Sequence, residues 1–281
     1  MRRLAIGCIL AVVLVAGAVA PAAAAPGRSG VHGSPVLLAL GDSVPAGQGA
    51  VPPPGYPERL GALLENGYDP AADKADPDGS VDFDVVNLAV RGATTATLIR
   101  DQLPAAIQLI RERRSDRDPY NDVEVVTVTI GGNDVFQPVV AACLSAPSTV
   151  ACQPTVDFVL AATGTGVTAI LGQVTAAAGR RTEVVVTTYY NPIGSCALSA
   201  HPAAVPVADA VLEGGTVPGL VSVADGLNDR IRRAAAATGA QVAELYGALD
   251  PADLVGGLDC LHPDASGHQR IAEEAYDTLA R

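Results

Sequence analysis

The sequence has no tryptophan, three phenylalanines and one lysine, Lys74. Aromatic residues make up 4% of the chain and charged residues 17%, against the roughly 25% charge of ordinary domains. So little charge argues against a disordered chain or a coiled coil. Acidic residues outnumber basic ones 30 to 18, giving a formal charge of −12. An acidic, lysine-poor surface speaks against a nucleic-acid partner, because neutralising phosphates needs a basic patch. The densest basic cluster, Arg111-Glu112-Arg113-Arg114, reads as a solvated helix end. Several signatures are also missing. The chain has no G-x-S-x-G nucleophile elbow, no P-loop lysine motif and no H-E-x-x-H. It has no C-x-x-C or H-x-x-x-H spacing to hold zinc.

What is present is apolar. Of 281 residues, 49% are hydrophobic, enough for a full-sized core. Arg2 and Arg3 precede an uncharged apolar run from Leu4 to Ala20, and Ala23-Ala24-Ala25 supplies small residues for cleavage. This pattern predicts a signal peptide over residues 1–25, a single domain over 26–281 and a secreted protein without a stable membrane anchor. Beyond the leader, no stretch reads as long and apolar enough to span a bilayer. Without Cys8, the mature chain carries Cys143, Cys152, Cys196 and Cys260. An even count in an oxidising compartment suggests two disulfides, with three pairings open. The sequential pairing, Cys143–Cys152 and Cys196–Cys260, is the expectation.

Short apolar runs recur at wide spacing: Val36–Leu40, Phe83–Asn87, Val123–Ile130, Glu183–Thr188 and Gln241–Leu245. They are apolar nearly throughout, as strands buried on both faces are. Helical patterns lie between and after them, at Pro57–Glu65, Thr94–Arg114, Val156–Ala178, Leu220–Thr238 and Ala265–Leu279, the last capped by Asp264. The alternation predicts an α/β fold with a five-stranded parallel sheet covered on both sides. Gly67–Asp82 and the Pro-rich Asn191–Pro218 read as irregular insertions. In such a sheet, ligands sit beyond the carboxyl ends of the strands.

The loops at those ends carry the chemistry. Gly41-Asp42-Ser43-Val44-Pro45-Ala46-Gly47 follows the first strand, a setting that can present a serine at a helix N-terminus. Gly92 follows the second strand, Gly131-Gly132-Asn133-Asp134 the third, and Asp259-Cys260-Leu261-His262 precedes the last helix. Asp259 and His262 are spaced so that a single turn brings both side chains to one side. Together the loops offer a hydroxyl nucleophile, a base, an acid to orient the base, and donors for an oxyanion.

These four blocks, in this order, resemble the SGNH (GDSL-type) hydrolases, particularly secreted bacterial esterases and lipases. The likeness spans nearly the whole mature chain. It implies a three-layer α/β/α sandwich of flavodoxin-like order and a carboxylic ester hydrolase working through an acyl-enzyme. It assigns Ser43 as nucleophile, His262 as base, Asp259 as the residue orienting the imidazole, and the Ser43 and Gly92 amides with the Asn133 side chain as an oxyanion hole. It implies no metal or cofactor and a monomer acting on small-molecule or lipid esters. Val135, Phe136, Tyr189, Tyr190 and Pro192 follow strands and are expected to line an acyl pocket. The shortage of aromatic platforms favours a lipid-like or short-to-medium acyl ester over an acetylated sugar. A carbohydrate O-acetylesterase and an acyltransferase are the alternatives. Asp42 and Asp134 read as loop-bracing residues, and His32, His201 and His268 as surface or packing residues. The acidic stretch holding Asp69, Asp73, Asp76, Asp78, Asp82 and Asp84 lacks EF-hand spacing, and calcium there stays open.

Overall fold

Val36 to Leu40 carries only aliphatic side chains, and each is fully buried. A strand of this composition can lie only inside a sheet with both faces covered. The computed structural model describes residues 33–67, 82–116, 118, 120–144, 149–257 and 259–279. In chain order the elements are β1 (Val36–Gly41), α1 (Tyr56–Gly67), β2 (Asp84–Asn87), α2 (Thr95–Thr97), α3 (Leu103–Ser115), β3 (Val123–Thr129), α4 (Gly132–Val139) and α5 (Cys152–Ala178). They continue with β4 (Glu183–Thr187), α6 (Ala204–Glu213), β5 (Gly215–Val217), β6 (Val221–Val223), α7 (Leu227–Thr238), β7 (Gln241–Ala243), β8 (Leu254–Gly256), β9 (Asp259–Pro263) and α8 (Ala265–Leu279). The central sheet has the order β2-β1-β3-β4-β7, and all its pairings are parallel.

Alternation along each strand builds two cores. Leu38 and Leu40 face Leu98, Ile110, Leu160 and Ile231, from the side bearing α3, α5 and α7. Leu37, Val125 and Val185 face Tyr56, Leu60 and Ile271, from the side bearing α1 and α8. The result is the three-layer sandwich expected, with every strand's carboxyl end on one edge.

Several local expectations change. Thr94–Arg114 is helical throughout, as expected, but not uniformly α. A wide π-type turn at Leu98–Gln102 separates α2 from α3, and Pro104 sits in the first turn of α3, where its missing N–H is tolerated. Asn191–Pro218 contains α6, whose Val207, Ala210 and Val211 are buried at helical spacing. Leu220–Thr238 begins as a strand, and its helix starts only at Leu227. The helix α5 is itself long and apolar enough to cross a membrane, contrary to the sequence reading. Its Val156, Leu160, Val167, Ile170 and Val174 form a stripe packed in the core. The leader, His32, Asp69, Asp73, Asp76 and Asp78 lie outside the described residues.

The π-type turn before α3 has a use. The buried Gln102 side chain accepts from the Gly41 N–H at 2.9 Å and donates to the Gly41 carbonyl at 2.8 Å. It clamps the last residue of β1, from which the next loop departs. Gly41 needs that clamp and needs to be glycine. Its φ is +141°, and a Cβ there would lie 2.0 Å from the Thr129 carbonyl oxygen. Gln102→Ala takes this partner from a buried amide and should cost about 1–3 kcal/mol. Urea denaturation of the variant beside the wild type measures it.

Candidate active site

Beyond β1 the chain runs through consecutive turns from Ser43 to Gly49, and no helix follows until Tyr56. Ser43 therefore does not stand at the helix N-terminus expected. Ser43 is held by turn bonds instead, including one from the Gln48 N–H to its carbonyl at 3.0 Å. Its side chain is largely enclosed, and its Oγ lies 2.8 Å from His262 Nε2. On the other side of the ring, His262 Nδ1 hydrogen-bonds Asp259 Oδ1. A carboxylate can only accept, so Nδ1 carries the proton and Nε2 presents a lone pair to the Ser43 hydroxyl. Asp259 and His262 lie on the short strand β9, not on a turn. The β8–β9 pairing is irregular between Leu254 and Gly256, which breaks the strict alternation of a strand.

The other loops converge on the same edge. Gly92 stands in the turn after β2 with φ +76°, and a Cβ there would meet nothing within 4 Å. Its conformation, rather than crowding, favours glycine. Asn133, in the first turn of α4, donates from Nδ2 to the Ala93 carbonyl at 3.0 Å, which leaves its second amide hydrogen to another acceptor. That bond couples the β3 loop to the residue after Gly92. Asp134 accepts from the Thr95 N–H at 2.9 Å and the Thr95 hydroxyl at 2.6 Å, coupling the same two loops again.

Beneath Ser43 lies a polar brace. Asp42 Oδ1 accepts the Val44 N–H at 3.0 Å, and Oδ2 accepts the Tyr189 hydroxyl at 2.5 Å. Tyr189 packs so close to Gly132 that a Cβ there would lie 2.8 Å from its ring. The backbone of Tyr189 is gripped at both ends by the buried Asn228 side chain. Burial pushes the Asp42 pKa up to about 6, even though the Tyr189 and Val44 bonds and the nearby His262 oppose it. Asp259 behaves oppositely. Partial burial raises its pKa, but bonds from His262 and Gln48 and the charges of His262 and Arg91 hold it below the usual carboxylate range.

Ser43, Asn133 and His262 open onto a cleft of about 900 Å³ including its mouth. Val135, Phe136, Tyr189, Tyr190 and Pro192 all line it. The sequence reading missed its deeper wall, made by Val207, Ala208, Val211 and Leu212 of α6 with Leu227 of α7. Disulfides join Cys143 to Cys152 and Cys196 to Cys260. The second ties the approach to α6 to the hairpin carrying Asp259 and His262. Among the described residues, no cluster of His, Cys, Asp and Glu could hold a metal ion.

A sequence model of the GDSL-like lipase/acylhydrolase family matches residues 39–270. The chain belongs to the GDSL-like lipase/acylhydrolase family. It is an ester hydrolase of that class. No curated protein sequence matches it. Among solved structures, it is similar to the lipase Lip_vut3 from a goat rumen metagenome, at 16% identity and a TM-score of 0.57, covering 87% of this chain and 97% of that one. Phospholipase A1 from Streptomyces albidoflavus NA297 aligns at 21% identity and a TM-score of 0.55, covering 88% and 99% of the two chains. Axe2, an acetylxylan esterase from Geobacillus stearothermophilus, aligns at 16% identity and a TM-score of 0.51, covering 89% and 96%. At these identities the structural likeness shows a shared fold.

The brace under Ser43 carries a pH signature. With the folded pKa of Asp42 near 6 and its ordinary value at 3.8, the folded state binds the proton more tightly than the unfolded chain. The stability from the neutral acid is complete below about 4 and is lost as pH rises towards 6. The upper bound on that loss is about 3 kcal/mol. Asp42→Asn cannot ionise, so its stability relative to wild type should climb across this interval and level off above it. Thermal unfolding of both proteins from acid to neutral pH tests the sign.

Proposed function

We propose that this protein is a secreted serine esterase that cleaves lipid-like or short-to-medium acyl esters through an acyl-enzyme. The observation that carries the reading is the apolar cleft opening directly beside the Ser43 hydroxyl, itself 2.8 Å from the His262 ring. The lone pair of His262 Nε2 takes the Ser43 proton as Oγ attacks the ester carbonyl. Asp259 holds the ring in the required tautomer and stabilises the imidazolium that forms. Negative charge builds on the carbonyl oxygen, and the Ser43 and Gly92 N–H groups with the second Asn133 amide hydrogen receive it. The imidazolium then protonates the leaving alcohol. In the second half-reaction, water, deprotonated by the same ring, releases the acid and regenerates Ser43.

The acyl chain enters between α4 and α6, along Phe136, Val139, Val207, Ala208 and Val211. Such a wall rewards each methylene it takes from water by about 0.8 kcal/mol, close to fourfold in kcat/KM. An acetyl group would leave most of it wet. This favours an acyl ester over an acetylated sugar. The leader-like residues 1–25 and the two disulfides support export, since such bonds persist in oxidising compartments.

A panel of p-nitrophenyl esters of graded acyl length, run on wild type and Ser43→Ala, tests the reading. The expected result is a stepwise rise in kcat/KM with length until the cleft is full, and loss of about 10⁶-fold in kcat in Ser43→Ala. Hydrolysis of acetylated xylan without fatty-ester hydrolysis would defeat the acyl preference. Full activity in Ser43→Ala would defeat the nucleophile. Separately, Asn133→Ala should lower kcat by about 10²–10³-fold. Steady-state kinetics on the best ester of the panel measures that loss.

A further inference from the structure

Gln48 touches every member of the Ser43–His262–Asp259 array. Its backbone N–H donates to the Ser43 carbonyl at 3.0 Å. Its side-chain Nε2 donates to Asp259 Oδ2 at 3.2 Å and lies 3.2 Å from His262 Nδ1. Its carbonyl accepts from Nε2 of the buried His268 at 3.0 Å. The other nitrogen of His268, Nδ1, accepts the Tyr56 N–H at 3.2 Å. One neutral tautomer satisfies both His268 contacts, so a fixed imidazole in α8 anchors the backbone of Gln48. The flanking Gly47 and Gly49 have φ of +73° and +91°. At Gly49 a Cβ would lie 2.1 Å from the Pro263 carbonyl oxygen and 3.2 Å from His262 Cβ. The loop thus passes directly against β9, and that close passage brings the Gln48 amide to Asp259.

We infer that Gln48 is a positioning residue for ester hydrolysis, holding the free oxygen of Asp259 so that its other oxygen stays aimed at His262 Nδ1. This rests on the serine-esterase reading above. The need for a holder follows from the exposure of Asp259. Its side chain is 38% exposed, against 14% for His262, so packing alone does not fix the carboxylate plane. Oδ1 is engaged by His262, and Gln48 supplies the bond to Oδ2. The amide cannot compete for the ring. With the proton on Nδ1, that nitrogen has no lone pair to accept from Gln48. The reverse tautomer would set the Nδ1 lone pair against the lone pairs of Oδ1. Gln48 therefore acts on the carboxylate, and through it on the base. The charged and titratable groups around the pair are Arg91 after β2, Asp42 below Ser43, Tyr190 after β4 and His268 in α8.

The test compares Gln48→Met, which keeps the length and loses the donor, with Gln48→Glu, which replaces the donor with a carboxylate. Both keep the backbone bonds to Ser43 and His268. Wild type and Ser43→Ala run first on the best ester of the panel. If Ser43→Ala is active, the esterase reading fails before Gln48 is judged. With that reading standing, Gln48→Met should lower kcat roughly tenfold with little change in KM, as misplaced catalytic groups do. The acid limb of its kcat/KM profile should move to higher pH, because the positive end of the amide dipole no longer faces the Asp259–His262 pair. In Gln48→Glu the same limb should move up by about one pH unit or more, since a second negative charge favours the imidazolium. A Gln48→Met enzyme with wild-type kcat overturns the proposal. So does one whose kcat and melting temperature fall while the acid limb stays in place, which is the mark of a merely structural role.

Discussion

The hydrogen bond between His262 and Ser43 joins residues 219 positions apart. Nothing local in the chain can hold such a contact, and bringing distant segments together costs conformational entropy that the contact itself does not repay. Its 2.8 Å length depends on two independently anchored loops. One leaves β1, clamped at Gly41 by Gln102. The other is the hairpin before α8, fixed by the Cys196–Cys260 bond and by the Tyr190 hydroxyl, which donates to the Leu261 carbonyl at 2.7 Å. The parallel sheet sets both loops on one edge, and polar side chains bring them into register.

Those polar braces work against stability in part. Asp42 sits buried with two donors, and its ionised form is disfavoured there. An apolar residue in its place would leave the Val44 N–H and the Tyr189 hydroxyl without an acceptor. The bonds of Asp42 fix the turn carrying Ser43, and through Tyr189 they fix Gly132 beside Asn133. Ser43 and Asn133 are thus referred to one buried carboxylate. Preorganised donors are worth most where reorganisation is prevented, so a site of this type gains from a brace that costs the fold something.

The sheet and the four loops were legible because each rests on local signals. Runs of Val, Ile and Leu mark buried strands, and glycines mark the places where the backbone turns sharply. What escaped was non-local or masked. Asn191–Pro218 reads as a loop because of its prolines, yet Pro206 falls in the first turn of α6, where a missing N–H costs nothing. Thr94–Arg114 reads as one helix and is continuous, but nothing in its pattern marks the π-type turn at Leu98–Gln102. Gln48 lies in the serine loop, but its partners are Asp259, 211 positions away, and His262, 214 away, so no pattern around it signals a role. Tyr189 was expected in the pocket, and its bond to Asp42 across 147 positions was equally invisible.

The Cys196–Cys260 bond also couples two properties usually discussed apart. Cys196 packs with Ile193 and Ala204 at the approach to α6, and both of these line the cleft. Cys260 lies between Asp259 and His262. The same two segments are tied again by the bridge between Cys196 and Gly257 and by the Tyr190–Leu261 bond. This side of the cleft is thus fastened at three points to the hairpin that carries His262. The shape of the cleft and the placement of His262 are linked through the same three contacts.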